Sequence, residues 1–230
     1  MSLLGLFSGN WQTAVLSILV RALVVFTVLP LHECAHGLVA LKLGDRTAKD
    51  QGRLTLNPLK HFDPIGTTAL LLTGIGWARA VPINPMNFKN PKKGMAVTAL
   101  AGPLSNLAMA LIAMVLYKLL TVAAVFFPLN ATAVNVVRTI LSLFLQINVS
   151  LAVFNLLPIP PLDGSRIATC FLSERTYFKI MQYERYIFLA LMLLLFTGIL
   201  DTPLYYICRW VITGLDYITY PIYVVARLFL

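Results

Sequence analysis

Apolar residues run from Trp11 to about Leu43, interrupted only by Arg21 and the cluster His32–His36. A helical span needs about 20 such residues. Pro30 predicts a kink, because proline removes a backbone hydrogen bond, and Gly44 marks the stop. Residues 45–63 turn polar and charged; within them Arg53-Leu54-Thr55-Leu56 alternates, which predicts a short strand. Residues 65–76 are apolar but only about half the spanning length, which predicts a re-entrant segment buried in protein. Pro, Asn and Lys return residues 77–93 to polar loop. A second long run spans Gly94–Phe127, Pro128-Leu129-Asn130 makes a tight turn, and a third runs from about Thr132 to Leu157. After a mixed stretch at 158–185 come a short fourth span, about Tyr186–Leu200, and a fifth, about Leu204–Leu230, which Pro221 breaks. The pattern predicts an all-α polytopic membrane protein of about five to six transmembrane or re-entrant helices, with a small β-strand region after the first long helix. It reads as a single membrane-embedded domain over 1–230, with a core at 11–180 and C-terminal helices at 184–230.

Composition agrees with the pattern: 59% of residues are hydrophobic and 12% charged, against about 25% charged in soluble domains. The lipid bilayer is therefore the expected solvent. A net charge of +9 would raise nucleic acid as a partner in a soluble protein. Here it reads as topology, and no nucleic acid is expected. Lysines and arginines cluster between the first and second long spans and again at 166–185, whereas 1–10, 128–131 and 201–203 hold none. Two crossings separate the basic regions, so both fall on one side, the cytoplasmic side of the cell membrane, with the N-terminus outside. That holds if 65–76 does not cross. Residues 1–10 carry no signal-peptide pattern. Cys34, Cys170 and Cys208 are scattered and read as small buried apolar residues.

Chemistry enters with His32-Glu33-Cys34-Ala35-His36. On a helix, positions i and i+4 share a face, so both imidazoles can grip one zinc ion. Glu33 then stands beside the metal as the group that takes a proton from water. Polar side chains in hydrocarbon need a reason; a metal supplies one, and an inward polar cluster joining helices supplies another. Catalytic zinc generally takes three protein ligands and leaves one position open. Asp163 is the candidate for the third, provided the proline-rich turn before it dips back toward His36. Taken alone, an Asp-Gly pair such as Asp163-Gly164 is more often a turn.

Three segments in order then resemble the site-2 protease family of intramembrane metalloproteases: His32–His36, Gly102-Pro103-Leu104-Ser105-Asn106, and Asn155 to Gly164. The last looks like the family's N-x-x-P-x-P-x-L-D-G pattern. Asp63–Gly66 and Gly76–Pro85 also look like its bacterial members, and the likeness covers roughly 15–180. The resemblance implies zinc (Zn2+) held by His32, His36 and Asp163, with Glu33 as general base and later proton donor. It implies that Asn155 contacts substrate or the reacting carbonyl and that Asn106 supports the site; interhelical hydrogen bonding is the alternative for either amide. The implied partner is a membrane-spanning protein, such as an anti-sigma factor or a signal-peptide remnant, cut near the cytoplasmic side in regulated intramembrane proteolysis. The chain looks like a minimal form, with no room for a PDZ or CBS domain.

Cleavage in lipid requires a water path and a locally unwound substrate; the substrate is expected to add as a strand along Arg53–Leu56. A non-catalytic metal-binding scaffold or chaperone would need a fourth strong ligand, and a metal transporter would need more acids than the 9 present. His61 reads as interfacial, with a role near the site mouth as the minority view. Arg21, Lys118 and Arg138 read as snorkelling or interhelical pairs, and Trp11, Tyr205, Tyr206 and Trp210 as interface anchors.

Overall fold

The first long apolar run folds as a helix with a wide turn inside it. Helix α1 (Trp11–Leu23) passes through a π-helical turn (Val24–Val28) into α2 (Leu29–Lys42). Pro30 has no N–H to donate, and just before it the Leu29 N–H reaches back to Val24 O instead of closing a regular turn. The expected kink therefore takes the form of a π-bulge. The chain is seen in a computed structural model that describes residues 11–73 and 76–228. The expectations about residues 1–10, an outside N-terminus and no signal peptide, lie outside the described residues.

After α2 come a short turn of helix, α3 (Thr47–Asp50), then α4 (Pro64–Thr73) and α5 (Pro91–Phe126). They are followed by α6 (Ala131–Asn155), α7 (Asp163–Ala168), α8 (Glu174–Gln182), α9 (Glu184–Thr197), α10 (Asp201–Thr219) and α11 (Pro221–Arg227). Asn90 and Asn130 cap α5 and α6, accepting from the N–H groups of Lys93 and Ala133. Among the described residues three helices are long and apolar enough to cross a membrane: Ile18–Lys42, Pro91–Phe126 and Ala131–Asn155.

Two expectations are corrected here. The described residues are all helix and irregular chain, so the β-strand region is absent from them. Arg53 N–H closes a turn onto Ala48 O and Thr55 N–H bonds back to Arg53 O; these local bonds use the groups that a ladder needs. Three long apolar helices also stand where five to six transmembrane or re-entrant ones are predicted, because the remaining helices are shorter or more polar.

The core is built where these helices meet. Val20, Val24 and Val28 on the first helix pack with Ala110, Ala113 and Met114 of α5, and with Leu145, Val149 and Val153 of α6. Leu204, Cys208, Val211, Ile212 and Leu215 of α10 lie against the same cluster. Spacings of three and four put each set on one helix face. Alanines let the helices approach closely, which supplies the packing that lipid alone does not drive. Outward residues such as Ile112, Leu116, Tyr205 and Trp210 stay exposed, as a lipid-facing surface requires.

The C-terminal half departs from the expected path. Cys208 meets Ser150, near the Asn155 end of α6, while Asp216 meets Lys118, near the opposite end of α5. Helix α10 thus runs from the Asn155 end toward the end that carries the 127–130 turn. Residues 201–203, which open α10, thus lie with the basic loops rather than opposite them, and α9 does not carry the chain across. Pro221 does end α10 and opens α11.

Helix α4 has ten residues, about 15 Å of rise, and does not cross. Its last turn points carbonyls into the bundle, where Arg21 of α1 receives them: Nη1 donates to Leu71 O at 3.3 Å and Leu72 O at 3.2 Å. A buried arginine thereby satisfies backbone that lipid would strand. Cys34 is buried, Cys170 and Cys208 are half-buried, and all are free thiols.

Candidate metal centre

Helix α2 places His32 and His36 one turn apart, with Nε2 atoms 3.1 Å from each other. Gly102 of α5 makes room for them: a Cβ there would lie 2.3 Å from His36 Nε2 and 2.5 Å from His32 Cε1. One turn earlier on α5, Thr98 O accepts from His36 Nδ1 at 2.7 Å. A carbonyl only accepts, so Nδ1 carries the hydrogen and Nε2 presents a lone pair.

The third group arrives from far along the chain. After α6 the chain turns through Leu157–Leu162, with a cis bond between Pro160 and Pro161. Asp163 opens α7, and Gly164 sits where a Cβ would come 2.2 Å from Leu156 O. Only glycine permits the turn to close this tightly. Asp163 Oδ2 then lies 3.3 Å from His32 Nε2 and 3.3 Å from His36 Nε2.

The geometry fits a divalent cation. Three ligand atoms lie within 4.8 Å of one another, and the edges measured above are 3.1–3.3 Å. Bonds of about 2.0–2.1 Å to a tetrahedral ion give edges of about 3.3 Å. Asp163 Oδ2 is buried and has no hydrogen-bond donor of its own among the described residues. Among those residues no fourth His, Cys, Asp or Glu joins the cluster.

Glu33 reaches the loop after α4. Its Oε2 accepts from Val81 N at 2.7 Å. Two arginine–carbonyl bonds just upstream, from Arg53 Nη2 to Arg79 O (2.8 Å) and Ala80 O (3.3 Å), hold that loop. Asp45 fixes its far end, accepting from Asn84 N at 2.8 Å and Asn87 Nδ2 at 2.7 Å.

The two amides make no hydrogen bond to this cluster among the described residues. Asn106 is 1% exposed and both its amide atoms lack partners among the described residues. It lies one turn beyond Gly102, on the same face of α5. Asn155, half-buried, ends α6 and makes no side-chain hydrogen bond among the described residues. His61 is buried, 2% exposed, and its Nε2 meets Thr55 O at 2.8 Å. The sequence reading missed Thr98, Val81 and the anchoring role of Arg53, because two of them act through backbone atoms that any residue carries. It also missed Asn148, fully buried on α6 with its Oδ1 unpartnered; an amide in an apolar helix is the signal that marks it.

Comparison with known proteins decides the family. The model of peptidase family M50 matches residues 20–197. This chain belongs to peptidase family M50. "Putative zinc metalloprotease YwhC" of Bacillus subtilis is 42% identical over 180 residues, covering 78% of this chain and 80% of YwhC. The similarly named Rip2 of Mycolicibacterium smegmatis is 30% identical over 185 residues, covering 78% of this chain and 68% of Rip2. Rip2 of Mycobacterium tuberculosis H37Rv is 29% identical with the same coverage. No solved structure matches. The M50 match takes in the helix with both histidines, the α5 glycine beneath them and Asp163.

Proposed function

We propose that this M50 peptidase is a zinc enzyme, with His32, His36 and Asp163 as ligands and Glu33 as general base. It cuts a membrane-spanning protein substrate near the cytoplasmic side of the cell membrane. The observation that carries the reading is the convergence of three acceptor atoms at 3.1–3.3 Å, with a carboxylate on the helix position beside them. Bound zinc supplies the Lewis acidity that makes water nucleophilic near neutral pH. Glu33 accepts the proton of the attacking water and returns it to the leaving amine nitrogen. The span's end at Lys42 lies six positions past His36 on the ligand helix, about 9 Å of rise, so a short polar path brings water. The basic loops flank that end, which supports its facing the cytoplasm. Asn106 and Asn155 are proposed as supporting amides, Asn155 for the substrate. The lack of a fourth ligand among the described residues favours hydrolysis over a closed structural site in a scaffold or chaperone.

Full-length protein and its Glu33→Ala variant in detergent test the reading, with zinc per chain and cleavage of a single-span test substrate as readouts. The variant is expected to keep its zinc and lose activity by about 10²–10⁴-fold. Cleavage at the wild-type rate by the variant would end the proposal.

A further inference from the structure

Residues 77–84 cross the site as extended chain without helix or ladder bonds of their own. Such a segment keeps its place only through contacts to other parts of the protein. Arg79 N–H bonds to His61 O at 2.9 Å. Arg53 Nη2 donates to Arg79 O and Ala80 O, and Val81 N–H donates to Glu33 Oε2. The Ala80 carbonyl and the Val81 N–H belong to one planar peptide unit and point in opposite directions. A guanidinium therefore grips one side of this peptide plane and the Glu33 carboxylate takes the other. A cationic donor on the carbonyl also polarises the peptide and strengthens its N–H as a donor.

Burial closes the arrangement. Arg53 and Glu33 are each 9% exposed and Val81 is 5% exposed. Gly37, one turn past Glu33 on α2, brings the loop close: a Cβ there would lie 2.9 Å from Leu54 Cδ1 and 3.4 Å from Val81 Cγ1. Arg53 thus enters from the segment that packs on α2 and reaches across to the loop. Nothing else among the described residues hydrogen-bonds the Ala80 carbonyl.

We propose that Arg53 is a positioning residue for peptide-bond cleavage: it clamps the 79–80 carbonyls so that Val81 N–H fixes Glu33 Oε2, leaving Oε1 for the proton in transit. The proposal rests on the reading of Glu33 as general base. Arg53 reaches Glu33 through one peptide bond, from the Ala80 carbonyl to the Val81 N–H.

Arg53→Gln and Arg53→Lys, made in the full-length zinc-loaded protein, test it. Four readouts are needed: zinc per chain, melting temperature in detergent, kcat and KM on a single-span test substrate, and hydrogen exchange of a peptide containing Val81. Arg53→Gln is expected to keep its zinc and its KM within about twofold and to exchange the Val81 amide faster. Its kcat falls about 10–100-fold, the scale of a misplaced catalytic group. Arg53→Lys, whose ammonium holds one carbonyl, lies between the two. Wild-type kcat in Arg53→Gln overturns the proposal, as does a loss confined to KM or accompanied by loss of zinc. If Arg53→Gln fails to fold, Arg53→Lys decides: reduced kcat with zinc and KM kept supports the clamp, and unchanged kcat overturns it. Glu33→Ala separates the two readings: full activity there removes the general base itself, whereas an inactive Glu33→Ala beside a fully active Arg53→Gln removes only the clamp.

Discussion

Gly102 lies so close to His36 that a single methyl group on it would come within 2.3 Å of Nε2. The imidazole has nowhere to retreat, because its other nitrogen is bonded to Thr98 O on the same α5 helix. Gly102→Ala is therefore expected to push the histidines apart, leaving sub-stoichiometric zinc and no measurable proteolysis. Alanine favours helix over glycine by about 1 kcal/mol, so α5 itself should persist. Metal analysis and circular dichroism on one sample check both halves. Full zinc occupancy in the variant would refute the steric argument.

Gly37→Ala provides the contrast on α2. The Cβ there would meet the tip of Leu54 at 2.9 Å and Val81 Cγ1 at 3.4 Å, and a leucine end can swing away. Zinc content should stay near wild type, with kcat lowered by less than about tenfold as the 79–81 loop shifts. A complete loss of activity would show that the loop tolerates no displacement.

Asp45 ties the end of α2 to the 84–87 turn and has a marked pH signature. Burial alone would raise its carboxyl, but bonds from Thr47, Asn87 and Asn84 outweigh burial and hold it below its ordinary value. The folded protein thus binds the proton less readily than the unfolded chain does. The stabilisation is fully present above the unfolded value of about 4 and is lost as pH falls through the lower folded value. Asp45→Asn should lower the melting temperature at neutral pH, by about 1–3 kcal/mol of stability, and flatten its decline below about pH 4. Melting curves of both proteins from pH 3 to 7 test this, and parallel curves would count against it.

Lys118 and Asp216 form an unequal pair. The lysine side chain is 2% exposed and the aspartate 57%, with Nζ to Oδ1 at 2.7 Å. Nζ also donates to Asp216 O at 2.7 Å and lies 5.0 Å from the Tyr223 ring centroid. Removing the aspartate charge leaves a buried cation, whereas removing the lysine removes the cost of burying it. Asp216→Asn is expected to cost about 1–2 kcal/mol, a buried-pair loss discounted for solvent at the aspartate. Lys118→Met should be close to neutral. Melting temperatures in detergent decide; equal losses in both variants would contradict the asymmetry.

How much of this was legible follows from what periodicity records. The two later spans were visible to within a few residues, Gly94–Phe127 against Pro91–Phe126 and Thr132–Leu157 against Ala131–Asn155, because long apolar runs bounded by Asn and Pro leave little choice. His32 and His36 were legible because a four-residue spacing has one geometric meaning on a helix. The alternation at Arg53–Leu56 misled: Arg53 reaches in to the 79–80 carbonyls and Leu54 packs toward Gly37, so side chains of neighbouring positions both turn inward. The direction of α10 was hidden because it hangs on contacts such as Lys118–Asp216, which hydropathy averages away. Val81 left no trace, since its contribution is an amide hydrogen.

Arg21 gives the N-terminal helix a role beyond anchorage. By donating to Leu71 O and Leu72 O, it joins α1 to the last turn of α4. A shift of α1 is therefore felt at the end of α4, upstream in the chain of the Val81 N–H that bonds Glu33. Any event in the bilayer that tilts the first helix has a mechanical handle on the chemistry.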